Sequence, residues 1–215
     1  MIFKISIYLI FVPIKLVLNK IYSILKTGRD YYGNLPGLTI QSFADFRAPI
    51  FIYSLIPFVA TFGLNTFAVR FPAAIFGVLN VFLIYLLGKM LFKSEKTGLV
   101  AALLVGFAPW SIQYSRMAFE ITLMLPLVLG GMVCFLQGLK NSKYWIAAGL
   151  LFGLSVLTYN TVKLFVPLFC LVFGAIYIRK ANLKKDFWIG SGILGLIFVV
   201  SLYSSIFQGG GKRFS

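Results

Sequence analysis

The chain has 215 residues, 60% of them hydrophobic and only 12% charged, with a mean hydropathy of +0.95. A water-soluble domain carries roughly twice that charge, about 25%, so a soluble globular fold is excluded and lipid must cover the apolar surface that a core of this size cannot bury. Lys and Arg outnumber Asp and Glu by 20 to 5, but the cations fall in small groups between hydrophobic runs and form no single patch. That distribution argues for membrane-topology signals and against nucleic acid as a partner. Histidine is absent, which removes Ser-His catalysis and His-based metal sites. The two cysteines, Cys134 and Cys170, each sit inside an apolar run and read as small lipid-buried hydrophobes.

The predicted fold class is all-α: a single membrane domain over 1–215, built as a polytopic transmembrane helical bundle with an external loop of juxtamembrane helices. In chain order, residues 1–19 form a weak first span, interrupted by Lys4, Pro13 and Lys15. Residues 20–70 form the external loop. Within it the apolar run 48–64 holds Pro49 and Pro57 and either spans or lies along the surface. Six transmembrane helices follow over 71–207, at 71–88, 98–114, 121–139, 144–159, 164–178 and 187–207, several of them shorter than the roughly 20 residues a span normally needs. Residues 208–215 form a glycine-rich tail.

Loop charges orient the bundle. Lys89, Lys93 and Lys96, then Lys140 and Lys143, then Arg179, Lys180, Lys184 and Lys185 occupy alternate loops, nine cations against the two, Arg116 and Lys163, of the intervening ones. By the positive-inside rule the nine face the cytoplasm. Segments 109–120, 159–163 and 208–215 and the approach to Phe71 are then external, and 48–64 does not cross if 1–19 does. Glu95 and Asp186 fall among cytoplasmic lysines, where ordinary solvated charge explains them. Asp30, Asp45 and Glu120 fall on the outer side and are the available general bases and hard-metal ligands.

Two glycine patterns read as packing and not chemistry. Gly190-Ser191-Gly192-Ile193-Leu194-Gly195 matches a dinucleotide fingerprint but lies in mid-span, without the strand–turn–helix setting such a motif requires. Gly149 and Gly153 form a GxxxG close-packing pair. Glu120 follows Arg116 by four residues, so on one continuous helix the two share a face, although an acid near a helix N-terminus is favourable in any case. Asp45-Phe46-Arg47-Ala48-Pro49 places a second acid and guanidinium at the head of a hydrophobic run, where an interfacial anchor is the plainer reading. Lys163 reads by default as a snorkelling lysine.

Four stretches together resemble the GT-C superfamily of polyprenyl-phosphate-sugar-dependent glycosyltransferases, in particular its protein O-mannosyltransferase and aminoarabinose transferase branch. They are Tyr22-Ser23-Ile24-Leu25-Lys26-Thr27-Gly28-Arg29-Asp30-Tyr31-Tyr32-Gly33, then Ser42 through Pro49, then Phe62-Gly63-Leu64-Asn65-Thr66-Phe67-Ala68-Val69-Arg70-Phe71-Pro72-Ala73-Ala74, and Pro109-Trp110 through Glu120. The resemblance covers roughly 21–207. It implies juxtamembrane helices that do not cross, an active site on the extracytoplasmic side, and a sugar donor carried on a polyprenyl phosphate. It also implies an Asp-Glu catalytic pair about nine residues before Tyr22-Ser23-Ile24-Leu25. Val12-Pro13-Ile14 occupies that place, and no acid precedes Asp30. The expectation is therefore a family enzyme truncated at both ends, or an inactive fragment of one.

Under that resemblance the candidate catalytic residues are Asp45 and Glu120. The lipid-phosphate ligands are Arg47 and Arg116, followed by Arg70 and Lys163, because a guanidinium matches phosphate bidentately. Glu120 and Asp45 are also the candidates to hold a divalent metal. Membrane lipid and the lipid-linked donor are the expected partners, with a glycan, lipid or protein acceptor, in the plasma membrane of a prokaryote. A non-enzymatic transporter or assembly subunit is the alternative. No predicted span carries a charge at its centre, which weighs against it.

Overall fold

In a computed structural model of the chain, residues 17–29, 33, 40–42, 45–47, 50–117, 119–159, 161–177 and 185–209 are described. The expected first span therefore lies almost wholly outside the described residues, as do Asp30 and most of the tail. A helix over 17–27, α1, opens the described chain. Strands β1 (Ile40–Ser42) and β2 (Asp45–Arg47) follow, paired antiparallel with Ser42 opposite Asp45 and Ile40 opposite Arg47. The remaining elements are helices: α2 (Ile50–Phe62), α3 (Thr66–Phe92), α4 (Glu95–Gly106), α5 (Pro109–Met117), α6 (Glu120–Gly138), α7 (Tyr144–Val156), α8 (Val162–Tyr177) and α9 (Lys185–Gly209). The fold is all-α apart from the two three-residue strands.

Local chemistry sets the boundaries. Gly63, at φ +77°, turns the chain out of α2 in a left-handed conformation that suits glycine. Asn65 then caps α3, its side-chain carbonyl accepting from the Ala68 N–H at 2.7 Å. At the far end Lys93 takes the left-handed conformation, φ 53°, and Ser94 caps α4 at once, so α3 and α4 form a tight hairpin. The predicted helix 98–114 is in fact two helices, bent by 61° between Gly106 and Pro109. Pro109 has no N–H to continue the ladder of α4 but suits the first position of a new helix.

Helix α3, at 27 residues, is about 40 Å long and exceeds the ~30 Å hydrocarbon layer. It, α6 and α9 are each long and apolar enough to cross a membrane, and the bent pair α4–α5 makes a fourth span if counted as one. The shorter apolar helices α2, α7 and α8 do not reach that length within the described residues. Large side chains such as Val78, Leu104, Phe107 and Leu164 are exposed along these helices. Surfaces of that kind are stable only against lipid or protein, and the chain is an integral membrane protein.

Two cores hold the bundle. One joins Ile21 of α1, Phe51, Ile52, Leu55 and Val59 of α2, and Ala68, Val69 and Ala73 of α3, and is closed by Leu123 of α6. The other joins Val128 and Phe135 of α6 to Trp145, Ala148, Phe152 and Val156 of α7, and to Val162, Val166 and Phe169 of α8. Glycines bring the helices close. A Cβ on Gly98 would meet the Tyr85 carbonyl at 2.7 Å, one on Gly77 the Ser115 Cβ at 2.7 Å, and one on Gly138 the Trp145 ring at 2.9 Å. The predicted GxxxG and GxGxxG patterns meet each other, with Gly149 of α7 against Gly190 of α9.

Candidate active site at the lysine-poor rim

These contacts fix which helix ends lie together. Gly88 sits on Gly98 and Gly77 on Ser115, so the chain climbs from the α3–α4 hairpin back to the start of α3. Leu123 joins Val69 and Ala73, so α6 begins beside the start of α3. Gly138 meets Trp145 and Gly131 meets Phe152, so α7 returns antiparallel to α6. Phe173 and Phe169 lie by Phe135, and Gly153 lies by Ile197, which completes the alternation through α8 and α9. One rim thus carries Arg70, Arg116, Glu120, Lys163 and Ser201. The opposite rim carries Lys89, Glu95, Lys140, Lys143 and Asp186. The latter two acids are engaged locally, Glu95 with Lys89 at 2.5 Å and Asp186 with the Ser142 hydroxyl at 2.5 Å.

The lysine-poor rim is built from helix ends. Helix α5 closes at Met117 and α6 opens at Glu120, so Arg116 and Glu120 do not share the continuous helix that their four-residue spacing suggested. The break has a physical support. Buried Thr122 donates its hydroxyl to the Tyr114 carbonyl at 3.2 Å, and its N–H goes to Phe119. This fastens the start of α6 to α5. Glu120 is then the first residue of α6, where the unpaired N–H groups and the macrodipole favour a carboxylate. Arg116 is exposed in the last turn of α5, and Arg70 is half-buried in the second turn of α3, beside fully buried Val69.

Lys163 opens α8 and reaches across to α9, donating from Nζ to the Ser201 carbonyl over a long 3.5 Å. Ser201 is itself buried. Strand β2, which carries Asp45 and Arg47, also packs against α9. The structure thereby groups Glu120 and Arg116 at the α5–α6 break and brings Lys163 and the β2 backbone to α9.

The sequence pattern missed Lys20. It lies on α1 next to Ile21 and is only 8% exposed. A lysine in an interfacial helix reads as a snorkelling cation. Only the packing of α1 onto α2 and α3 reveals that this one is buried, where an ammonium needs polar company. Among the described residues no three Asp, Glu or Cys side chains gather as a metal would require.

A bundle of lipid-covered helices with acid and guanidinium groups at one rim defines a polytopic membrane protein with a polar surface site. The model for dolichyl-phosphate-mannose-protein mannosyltransferase matches residues 47–204, from Arg47 into α9, and the chain belongs to that family. Among curated relatives it is 28% identical over 159 residues to "Putative mannosyltransferase YycA" of Bacillus subtilis (strain 168), a match covering 73% of this chain and 22% of that protein. It is 30% identical over 128 residues to undecaprenyl phosphate-alpha-4-amino-4-deoxy-L-arabinose arabinosyl transferase 2 of Proteus mirabilis (strain HI4320), covering 55% of this chain and 23% of that protein. The chain thus spans less than a quarter of the length of these relatives. No solved structure matches it.

Proposed function

We propose that this chain is the membrane-embedded part of a glycosyltransferase that moves a sugar from a polyprenyl phosphate to an acceptor on the extracytoplasmic side of a prokaryotic plasma membrane. The observation that carries the reading is the sorting of charge between the two rims. Glu120, Arg116, Arg70 and Lys163 occupy the rim opposite the lysine clusters, and that rim is extracytoplasmic by the positive-inside rule. Family membership supports the reaction class. The name of the Proteus relative specifies an undecaprenyl phosphate carrier for that protein, and both named relatives are bacterial.

In the proposed reaction a carboxylate, Glu120 or Asp45, takes the proton of the acceptor hydroxyl as its oxygen bonds to the sugar C1. The bond from C1 to the phosphate oxygen breaks, and the lipid phosphate leaves with the bonding pair. Its charge is met by Arg116 and Arg47, with Arg70 and Lys163 further along the rim. Guanidinium groups suit this task because they stay protonated and hold two phosphate oxygens at once.

The test is transfer of labelled sugar from a polyprenyl-phosphate donor in membranes containing this chain. Transfer that falls at least tenfold in Glu120→Ala and in Arg116→Ala supports the site. Transfer that is unchanged in both moves the site elsewhere. Absence of transfer from the unaltered chain, with the donor bound, assigns it a non-catalytic role.

A further inference from the structure

The lysine-poor rim is not level. Helix α4 climbs antiparallel to α3, with Gly98 on Gly88 and Gly106 beside Val81. It stops there, midway along α3, and α5 leaves it at 61°. The whole of α5 then gains only about one turn of α3, from Val81 to Gly77, where Ser115 makes contact. Thr122 holds the first turn of α6 to Tyr114 at that level. Thr66, the first residue of α3, stands three turns higher, about 16 Å.

The other half of the bundle repeats the pattern. The helices pack in the order α3, α6, α7, α9. Phe152 lies against Gly131, two turns below the start of α6, and Gly153 lies against Ile197. Helix α7 ends at Val156, whereas α9 runs on to Gly209. The Lys163 ammonium meets the Ser201 carbonyl two turns below that end, about 12 Å. The row is therefore tall at α3 and α9 and short between them.

Placing the bundle in a bilayer puts the short part inside the hydrocarbon. A ~30 Å layer bounded by Arg70 and Lys89 of α3 leaves Gly77 about 10 Å below its outer face, and a layer shifted to the inner end of α3 still leaves it about 6 Å below. At that depth α5 exposes Gln113 and Arg116, and Lys163 is half-buried at the α7–α8 turn. Ionisable groups at such depth face a bundle interior or a water-filled cavity, not lipid.

We infer that water enters the outer half of the bilayer here, in a recess walled by the upper turns of α3 and α9. The α5–α6 break and the α7–α8 turn form its floor, and Lys163 lies at the bottom. It is an anion site sunk below the headgroups, with Lys163 and Arg116 as its cations. The consequence for the donor, which rests on the transferase reading, is that its phosphate is bound beneath the headgroup plane.

The test uses a Cys134→Ala/Cys170→Ala background in nanodiscs. A spin label at Val78, which is 72% exposed and adjacent to Gly77, should report hydrocarbon depth from its oxygen and nickel-chelate relaxation. A label at headgroup level would mean that the rim lies at the surface, and would overturn the recess. Cysteines at Gln113 and Thr161 should react with an anionic, water-soluble methanethiosulfonate several-fold faster than cysteines at Val78 and at exposed Leu168. Equal rates would mean that lipid or protein fills the space, and would also overturn it. Relative to free mercaptoethanol, Thr161→Cys should prefer the anionic reagent over its cationic counterpart, and Lys163→Gln should remove the preference. No preference in the parent would refute the anion site. None of these measurements reads sugar transfer, so failure of the recess and failure of the transferase reading are seen separately.

Discussion

Gly149 of α7 and Gly190 of α9 pack backbone to backbone, so that a β-carbon on Gly149 would fall on the Gly190 carbonyl and one on Gly190 on the Trp145 carbonyl. The close approach continues one turn further along α7, where Gly153 meets Ile197. Gly149→Ala or Gly190→Ala should therefore destabilise the bundle by about 1–3 kcal/mol, the usual cost of overpacking. Gly192→Ala and Gly195→Ala, in the same short motif but with nothing within 4 Å, should leave it unchanged. Thermal unfolding in detergent reads the difference, and equal loss at all four positions would contradict the crossing.

Thr122 holds the α5–α6 break. Thr122→Val keeps the shape, removes the donor to the Tyr114 carbonyl and should cost roughly 1 kcal/mol. If the break positions Glu120 and Arg116, sugar transfer should fall by more than the loss of folded protein accounts for. Transfer proportional to folded protein would make Thr122 purely structural.

Asn80 lies mid-way along α3, 5% exposed, and its Oδ1 has no hydrogen-bond partner among the described residues. Replacing a buried polar group by an apolar one of similar size is near neutral or stabilising. Asn80→Leu should raise the unfolding temperature or leave it unchanged. A clear drop would reveal a polar contact, such as an internal water, that Asn80 sustains.

The orientation of the rims can be read by labelling. With Cys134 and Cys170 replaced by Ala, cysteines at exposed Leu64 and Thr161 should react with an impermeant maleimide from one side of the membrane. Cysteines at exposed Lys96 and Asn141 should react only from the other. Reaction of all four from one side would break the alternation of helices on which the proposed site rests.

Much of this architecture was legible in the sequence, and the reasons are particular. Apolar runs and lysine-bearing turns marked α3, α6 and α9 because lipid-facing helices declare themselves by composition alone. Glycine spacing marked α7 and α9 as close-packed, but which helix each would meet depended on tertiary arrangement. The break before Pro109 was passed over because the apolar run continues through Phe107 and Ala108. The apolar run alone reads as one helix, while the missing N–H of Pro109 decides for two. A separate break, between Met117 and Glu120, keeps Arg116 and Glu120 off the single helix on which a four-residue spacing would give them one face. The β1–β2 ribbon left no alternating pattern, since three-residue strands are too short to show one. Lys20 was hidden because burial of a cation is a property of its neighbours.

Leu123 completes a core whose other members all lie between Ile21 and Ala73. During synthesis, that first group of residues is finished long before α6 leaves the ribosome, so its exposed side must wait, unsealed, for some fifty further residues to be inserted. Membrane-insertion machinery, or a chaperone at the exit, has a defined interval in which to shield Val69 and Ala73. A stalled chain ending in the α3–α4 hairpin is the species on which quality control would act.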